Sequence, residues 1–241
     1  MLTRNRWVLT SLLMASIALA DEAETPDALW LKRDEPGATQ KIAAHLQASL
    51  EGQAEDFETL WRMSRLRFWM AETTPDAAQR AKYLKEGVDF GEKAGRKNPQ
   101  SVKGFYWAAV NLGSYAEVSG ILRALQEGLE PRLVKLLDTA ITLDANFDGG
   151  APHVVKGRYY SLLPWPKRDL DRSRDELLLA LKVNPANPRA LVFLAETYLM
   201  AGEDEKAQAL LARLLEARPV HDPPDDKRML ARARELAKRQ H

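Results

Sequence analysis

NPRALVFLAETYLMAGEDEKAQALLARLLEARP, Asn187 to Pro219, decides the fold. Leu191, Leu194, Ala195 and Tyr198 recur at three and four, the period that places side chains on one face of an α-helix. Asn187 ahead of Pro188 supplies a capping side chain and then a proline at the first helical position, where no N–H is needed. Gly202 closes that helix, Ala207 and Leu211 begin the buried face of a second, and Pro219 stops it. The small residues Ala195 and Ala207 let the two helices approach, while the large ones fill the groove between neighbouring pairs.

Position by position, this unit resembles a tetratricopeptide repeat: small, small, aromatic, turn glycine, closing proline. One proline-bounded unit upstream, Ala180 and Pro185 echo its end, and a first helix from Pro152 to Leu163 precedes an irregular Pro164-Trp165-Pro166 turn. Further out, Phe57, Leu60, Trp61, Ser64 and Phe68 trace a helical stripe. Leu122, Leu125 and Leu129 begin another, and Leu133, Leu136, Leu137, Ala140 and Ile141 make a third. Glu55 to Glu72 is predicted to pair with Asp76 to Lys97, and Ser101 to about Leu129 with Glu130 to Leu143. Thr25-Pro26 and Thr74-Pro75 read as helix starts; Asn98-Pro99, Asn184-Pro185 and Arg218-Pro219 read as ends, since the residue before proline is driven out of the α region. Strand signals are nearly absent. The prediction is an all-α fold, a tetratricopeptide-like α-solenoid of stacked antiparallel helix pairs.

Gly87, Gly91 and Gly95 are spaced by four on the helix from Asp76. In an apolar segment that spacing suggests a membrane dimerisation face; with Asp89, Glu92 and Lys93 between them it predicts a tight contact between soluble helices. The chain divides into 1–20, an N-terminal helical segment 21–53, a repeat domain 54–219, and a linker with a C-terminal capping helix over 220–241. Residues 1–20 read as a secretory signal peptide: Arg4 and Arg6, an apolar core from Trp7 to Ala18, then Ala18-Leu19-Ala20 before Asp21-Glu22. That core is shorter than the roughly 20 apolar residues of a spanning anchor.

With 241 residues, 45% of them hydrophobic and 29% charged, the chain can bury a substantial core. A net charge of +1 gives no pull toward nucleic acid, and the lack of cysteine excludes disulfides, thiol catalysis and a lipid-modified cysteine. No hydrolase elbow, zinc-helix motif or phosphate loop occurs, so a non-enzymatic protein without metal or cofactor is expected. Two stretches are candidates for a ligand cavity. On the first, Gly104 to Tyr115, the residues Tyr106, Asn111 and Tyr115 lie on a helix occupied on both faces, and Asn111 must find partners in protein or ligand. On the second, Gly149 to Tyr160, the residues His153, Gly157 and Tyr160 share one face and Arg158 points elsewhere; the alternative is a tight helix crossing with His153 satisfied by a backbone group. Trp61, Trp69 and Trp107 read as core.

The order Phe105-Tyr106-Trp107, Asn111-Leu112-Gly113, Gly149-Gly150-Ala151-Pro152-His153, Gly157, Tyr159-Tyr160, Leu163-Pro164 and Leu194 to Tyr198 is similar to the TatT family, the tetratricopeptide-type components of TRAP transporters. The resemblance implies a periplasmic protein, often trimeric. It would dock a DctP-like solute-binding receptor and hold a small organic ligand near Tyr106, Asn111, Tyr115, His153 and Tyr160. Trp165-Pro166-Lys167-Arg168 departs from the glycine-rich turn of that pattern. The alternative is a general tetratricopeptide scaffold for protein–protein interaction in the cell envelope.

Overall fold

A computed structural model describes residues 25–52, 56–216 and 222–239. The described residues form helices and connecting turns, with no strand among them. The N-terminal segment gives α1 (Pro26–Trp30) and α2 (Ala38–Gly52). Then follow α3 (Phe57–Thr73), α4 (Ala77–Lys97), α5 (Val102–Ser119), α6 (Ile121–Gln126), α7 (Leu129–Asp144), α8 (Phe147–Leu162), α9 (Leu170–Val183), α10 (Pro188–Met200), α11 (Asp204–Glu216) and α12 (Pro223–Lys238). Helices pack mainly on their next and next-but-one neighbours, which is the contact pattern of a solenoid. The all-α tetratricopeptide-like prediction stands.

Local chemistry explains most boundaries. Thr25, Asp56, Asp76, Asp169 and Asn187 each accept a backbone N–H from the first turn of the helix they cap. Asn98 and Asn184 end α4 and α9, each directly before a proline. Gly202 closes α10 with φ +75, a backbone region that β-carbons disfavour. Three expectations need correction. Thr74 does not start a helix: it ends α3, and its hydroxyl donates to the Met70 carbonyl, while Asp76 caps α4. The stretch from Ser101 toward Leu129 is not one helix, because Gly120 at φ +95 splits it into α5 and α6. The helix predicted from Pro152 begins at Phe147, with left-handed backbone at Asp148, Gly149 and Gly150 kinking it before Ala151. The C-terminal capping helix packs on α10 and α11 through the buried Met229, Leu230 and Ala233. The predicted leader 1–20 and the stop at Pro219 lie outside the described residues.

The glycine stripe on α4 is a close helix crossing, as its spacing predicts. A β-carbon at Gly91 would sit 2.7 Å from the Ala108 nitrogen on α5, and one at Gly104 on α5 would sit 2.4 Å from the Gly95 nitrogen. Backbone lies on backbone here, and Ser64 on α3 closes the same seam by donating its hydroxyl to the Gly87 carbonyl at 2.7 Å. Of the later helices, α7 and α8 pack against this three-helix block through α5.

Candidate functional site

The first helix of each pair turns its second face inward. Phe68 and Trp69 on α3, Tyr106, Trp107 and Val110 on α5, Val155 and Arg158 on α8, and Arg189 and Phe193 on α10 together line a groove of about 220 Å³. Arg80 near the start of α4, Asn184 just past the end of α9, and Asp225 and Arg232 of α12 also reach it. The short α6 and the start of α7 form another wall through Ile121, Leu125, Leu129 and Leu133. The groove is apolar in the middle and aromatic on one side. The Tyr106 ring meets Trp107 edge-on at 4.9 Å and Phe147 at 5.1 Å, and Phe68 lies 6.0 Å from Trp107.

Most of the charged groups on the wall are paired, Arg80 being an exception among the described residues. Arg158 reaches Glu196 at 2.6 Å and Glu117 at 3.1 Å, and Arg232 on α12 holds the other side of Glu196 at 2.6 Å. Both guanidinium groups stack on the Phe193 ring, at 4.8 and 5.3 Å. Arg189 bonds both oxygens of Asp225 and stacks over Phe68 at 5.4 Å. Burial works against the Arg189 charge, but the Asp225 carboxylate beside it holds its pKa above the ordinary guanidinium range. Burial would likewise raise Asp225, and the attraction of Arg189 outweighs it, leaving that carboxyl below its usual range. Burial raises the Tyr106 phenol, and the negative Asp148 adds to it, so the hydroxyl stays neutral. On the outer side, Arg65 stacks on Trp30 and Trp61, and burial pulls its pKa down to about 10 although Asp27 bonds it.

Of the five residues predicted to line a cavity, Tyr106 is on the groove wall. Asn111 is fully buried on the opposite face of α5, where its amide donates to the Ser64 carbonyl at 3.0 Å and the Trp107 carbonyl at 2.8 Å. A β-carbon at Gly87 would fall 2.2 Å from the Asn111 oxygen, so its surroundings are the α3–α4–α5 crossing. Tyr115 is buried beneath Lys85, whose ammonium lies 4.8 Å from the ring. His153, Gly157 and Tyr160 do share a face, and that face packs on α9: His153 Nδ1 meets Glu176 at 2.6 Å, and a β-carbon at Gly157 would overlap Leu177 at 2.6 Å. The tight crossing is therefore present, with a carboxylate rather than a backbone group satisfying the histidine. Tyr160 lies under Arg172 at 5.6 Å and beside Tyr159 at 5.1 Å. The predicted departure of Arg158 from this face is what brings it to the groove.

The sequence reading missed Phe68, Val110, Arg189 and Phe193 as wall residues and took Trp69 and Trp107 as core only. A signal was available: Arg189, Phe193 and Glu196 repeat at four and three on the side of α10 opposite Leu191, Leu194 and Tyr198. Among the described residues no group of three His, Asp or Glu side chains could hold a metal ion, and no helix is long and apolar enough to cross a membrane.

Comparison with known proteins now identifies the family. Residues 169–233 match a tetratricopeptide repeat model. The fold is similar to that of a thermophilic TPR protein of Thermus thermophilus, with a TM-score of 0.66 at 19% identity, over 88% of this chain and 97% of that one. Regulator of microtubule dynamics protein 3 of Bos taurus is 29% identical over 140 residues, 57% of this chain and 28% of that protein. Regulator of microtubule dynamics protein 1 of Caenorhabditis elegans is 27% identical over 173 residues, 66% of this chain and 75% of that protein. The chain thus spans little more than a quarter of the mammalian relative it matches. These matches overturn the resemblance to the TatT family, and with it the TRAP system, the DctP-like receptor with its small organic cargo, the trimer drawn from that family and the periplasmic location. The motifs that carried the resemblance are packing motifs, shared by helical-repeat proteins of different function. The model built on regulator of microtubule dynamics proteins 1-3 matches residues 26–161, more than half of the 241, and the chain belongs to that family.

Proposed function

We propose that this chain is a non-enzymatic helical-repeat scaffold that holds a polypeptide segment of a partner from the microtubule system in its inner groove. The observation that carries the reading is the groove itself: an aromatic and aliphatic channel crossing four helix pairs, with arginine–carboxylate pairs along its rim. Apolar anchors in a concave surface supply affinity, and paired rim charges supply register. Relatives named as regulators of microtubule dynamics direct the choice of partner to tubulin and the proteins bound to it.

Leu125→Glu places a carboxylate on the groove wall from the short α6, away from the α3–α4–α5 block. Burying an unpaired charge against an apolar segment costs several kcal/mol, so binding should weaken more than about tenfold while helical content stays unchanged. The assay is co-sedimentation with polymerised tubulin, alone and with its associated proteins. Equal binding by the variant would remove the groove from the interaction, and no binding by either protein would remove the microtubule partner.

A further inference from the structure

The two ends of the solenoid meet, and they meet through charge. Arg33, just after α1, is buried and lies 2.7 Å from Asp222, the residue that precedes α12. Lys227 on α12 reaches Asp34 at 2.7 Å. Arg228 reaches the Glu72 carboxylate of α3 at 2.7 Å and its carbonyl at 3.2 Å, and its guanidinium stands 5.4 Å from the Trp69 ring. Arg189 of α10 adds a longer contact to Glu72 at 3.9 Å. The pairs made by Arg33, Lys227 and Arg228 join residues more than 150 positions apart in the chain.

Apolar packing does not follow them across. Met229, Leu230 and Ala233 of α12 belong to a core cluster with α9, α10 and α11, whereas Leu29, Trp30, Met63, Leu66 and Trp69 belong to a separate cluster with α2. No buried hydrophobic side chain of α12 is in the N-terminal cluster. Parting the two ends therefore breaks ion pairs and cation–π contacts and leaves each apolar cluster whole. Trp69, Arg33, Asp222, Asp225 and Arg189 at this seam are also wall residues of the groove, so parting it opens the groove on that side.

We propose that this seam is an electrostatic latch: α12, fixed to α10 and α11, closes the groove by ion pairing to the turn after α1 and to α3, and releases to admit a polypeptide segment. The inference rests on the groove being a binding site for its purpose, but the opening itself can be observed with no partner present. Charge reversal breaks a latch of this kind and salt weakens it, most at its exposed pair Lys227 with Asp34, whereas an apolar closure is strengthened by excluded salts and indifferent to one reversed charge.

The lack of cysteine in the chain makes the test clean. Val110→Cys puts a thiol on the groove wall, and Ala209→Cys on the exposed face of α11 reports the intrinsic reactivity of the reagent. With a bulky polymer-linked maleimide, the ratio of the Val110→Cys rate to the Ala209→Cys rate should rise about tenfold between 0.01 M and 1 M sodium chloride, as the screening length falls from about 30 Å to about 3 Å. Arg228→Glu should raise the ratio at low salt, and Arg228→Glu with Glu72→Arg should restore it. Circular dichroism establishes that each variant is folded. Should Arg228→Glu fail to fold, the salt series on the unaltered seam decides alone. A ratio that does not move with salt overturns the latch, whatever the co-sedimentation result with tubulin, and a salt-dependent ratio without tubulin binding would leave the latch standing while removing that partner.

Discussion

The α4–α5 crossing makes a prediction in which one kind of substitution has opposite signs at two sites. Replacing glycine by alanine inside a helix normally stabilises it by about 1 kcal/mol. At Gly91 the new methyl would sit 2.7 Å from the Ala108 nitrogen, 2.8 Å from its α-carbon and 2.8 Å from the Ser64 hydroxyl. Ordinary contact begins at 3.4 Å, so the helices must separate by 3.4 − 2.7 = 0.7 Å at their closest point. Two of the three obstructing atoms are backbone and have no rotamer to move to, and the third is the hydroxyl that bonds the Gly87 carbonyl. Overpacking of this kind costs about 1–3 kcal/mol; with backbone as the obstacle the upper end applies, and subtracting the helix gain leaves a net loss of about 2 kcal/mol. For a chain of this size each kcal/mol moves the melting temperature by about 2–4 °C, so Gly91→Ala should melt about 4–8 °C lower. At Gly113, beyond the crossing on α5, the nearest side-chain atom is Leu133 Cδ1 at 4.0 Å. Gly113→Ala should therefore melt about 2–4 °C higher, the full propensity gain being free of strain. Thermal melts followed by circular dichroism compare the two. If Gly91→Ala also melted higher, the backbone-to-backbone approach of α4 and α5 would be refuted, and the glycine stripe would need another explanation.

The buried polar groups carry two more predictions. Asn111→Leu keeps the branching of the side chain but is larger and leaves the Ser64 carbonyl without its amide donor at a close crossing, so it should lower stability by about 1–3 kcal/mol in a denaturant titration while leaving groove binding unchanged. Asp225 has a folded pKa below the ordinary carboxylate value because Arg189 outweighs its burial, so its contribution is complete above about pH 4 and is lost as the pH falls through the folded value. Acid unfolding of the wild type should thus steepen below about pH 4, and Asp225→Asn should be less stable at neutral pH with a shallower acid limb in the same titration.

The fold was legible because each helix carries its own period and its own punctuation. Asn187 with Pro188, Asp76 and Gly202 act through backbone chemistry within a few residues, and Gly87, Gly91 and Gly95 announce a close neighbour without naming it. What failed were features set by residues far apart in sequence. Nothing near Pro152 shows that Asp148 takes φ 47, because that conformation is held by the turn of α8 onto α9, where Gly150 packs on Ala180. Nothing near His153 names Glu176, and nothing near Arg33 names Asp222.

The candidate site was harder for a related reason. A helix in a solenoid has two occupied faces, and the sequence marks both with the same residue types. Small and polar residues, the apparent signature of a cavity at Gly104, Asn111, Gly157 and His153, belong to the crossings, where backbones need to approach and polar groups can be satisfied by protein. The large residues Phe68, Trp69, Tyr106, Trp107 and Phe193, the apparent signature of core, stand between helix layers and the groove: buried by area, yet with an edge on its wall. The groove wall is thus made of residues that look like packing, and the motifs that look like a site report how the helices are held together. The same inversion explains how a sequence can share the ordered motifs of one repeat family and belong to another: motifs of the crossings specify the scaffold, while the groove wall is made of residues such as Val110, Leu125 and Phe193, which carry no motif of their own.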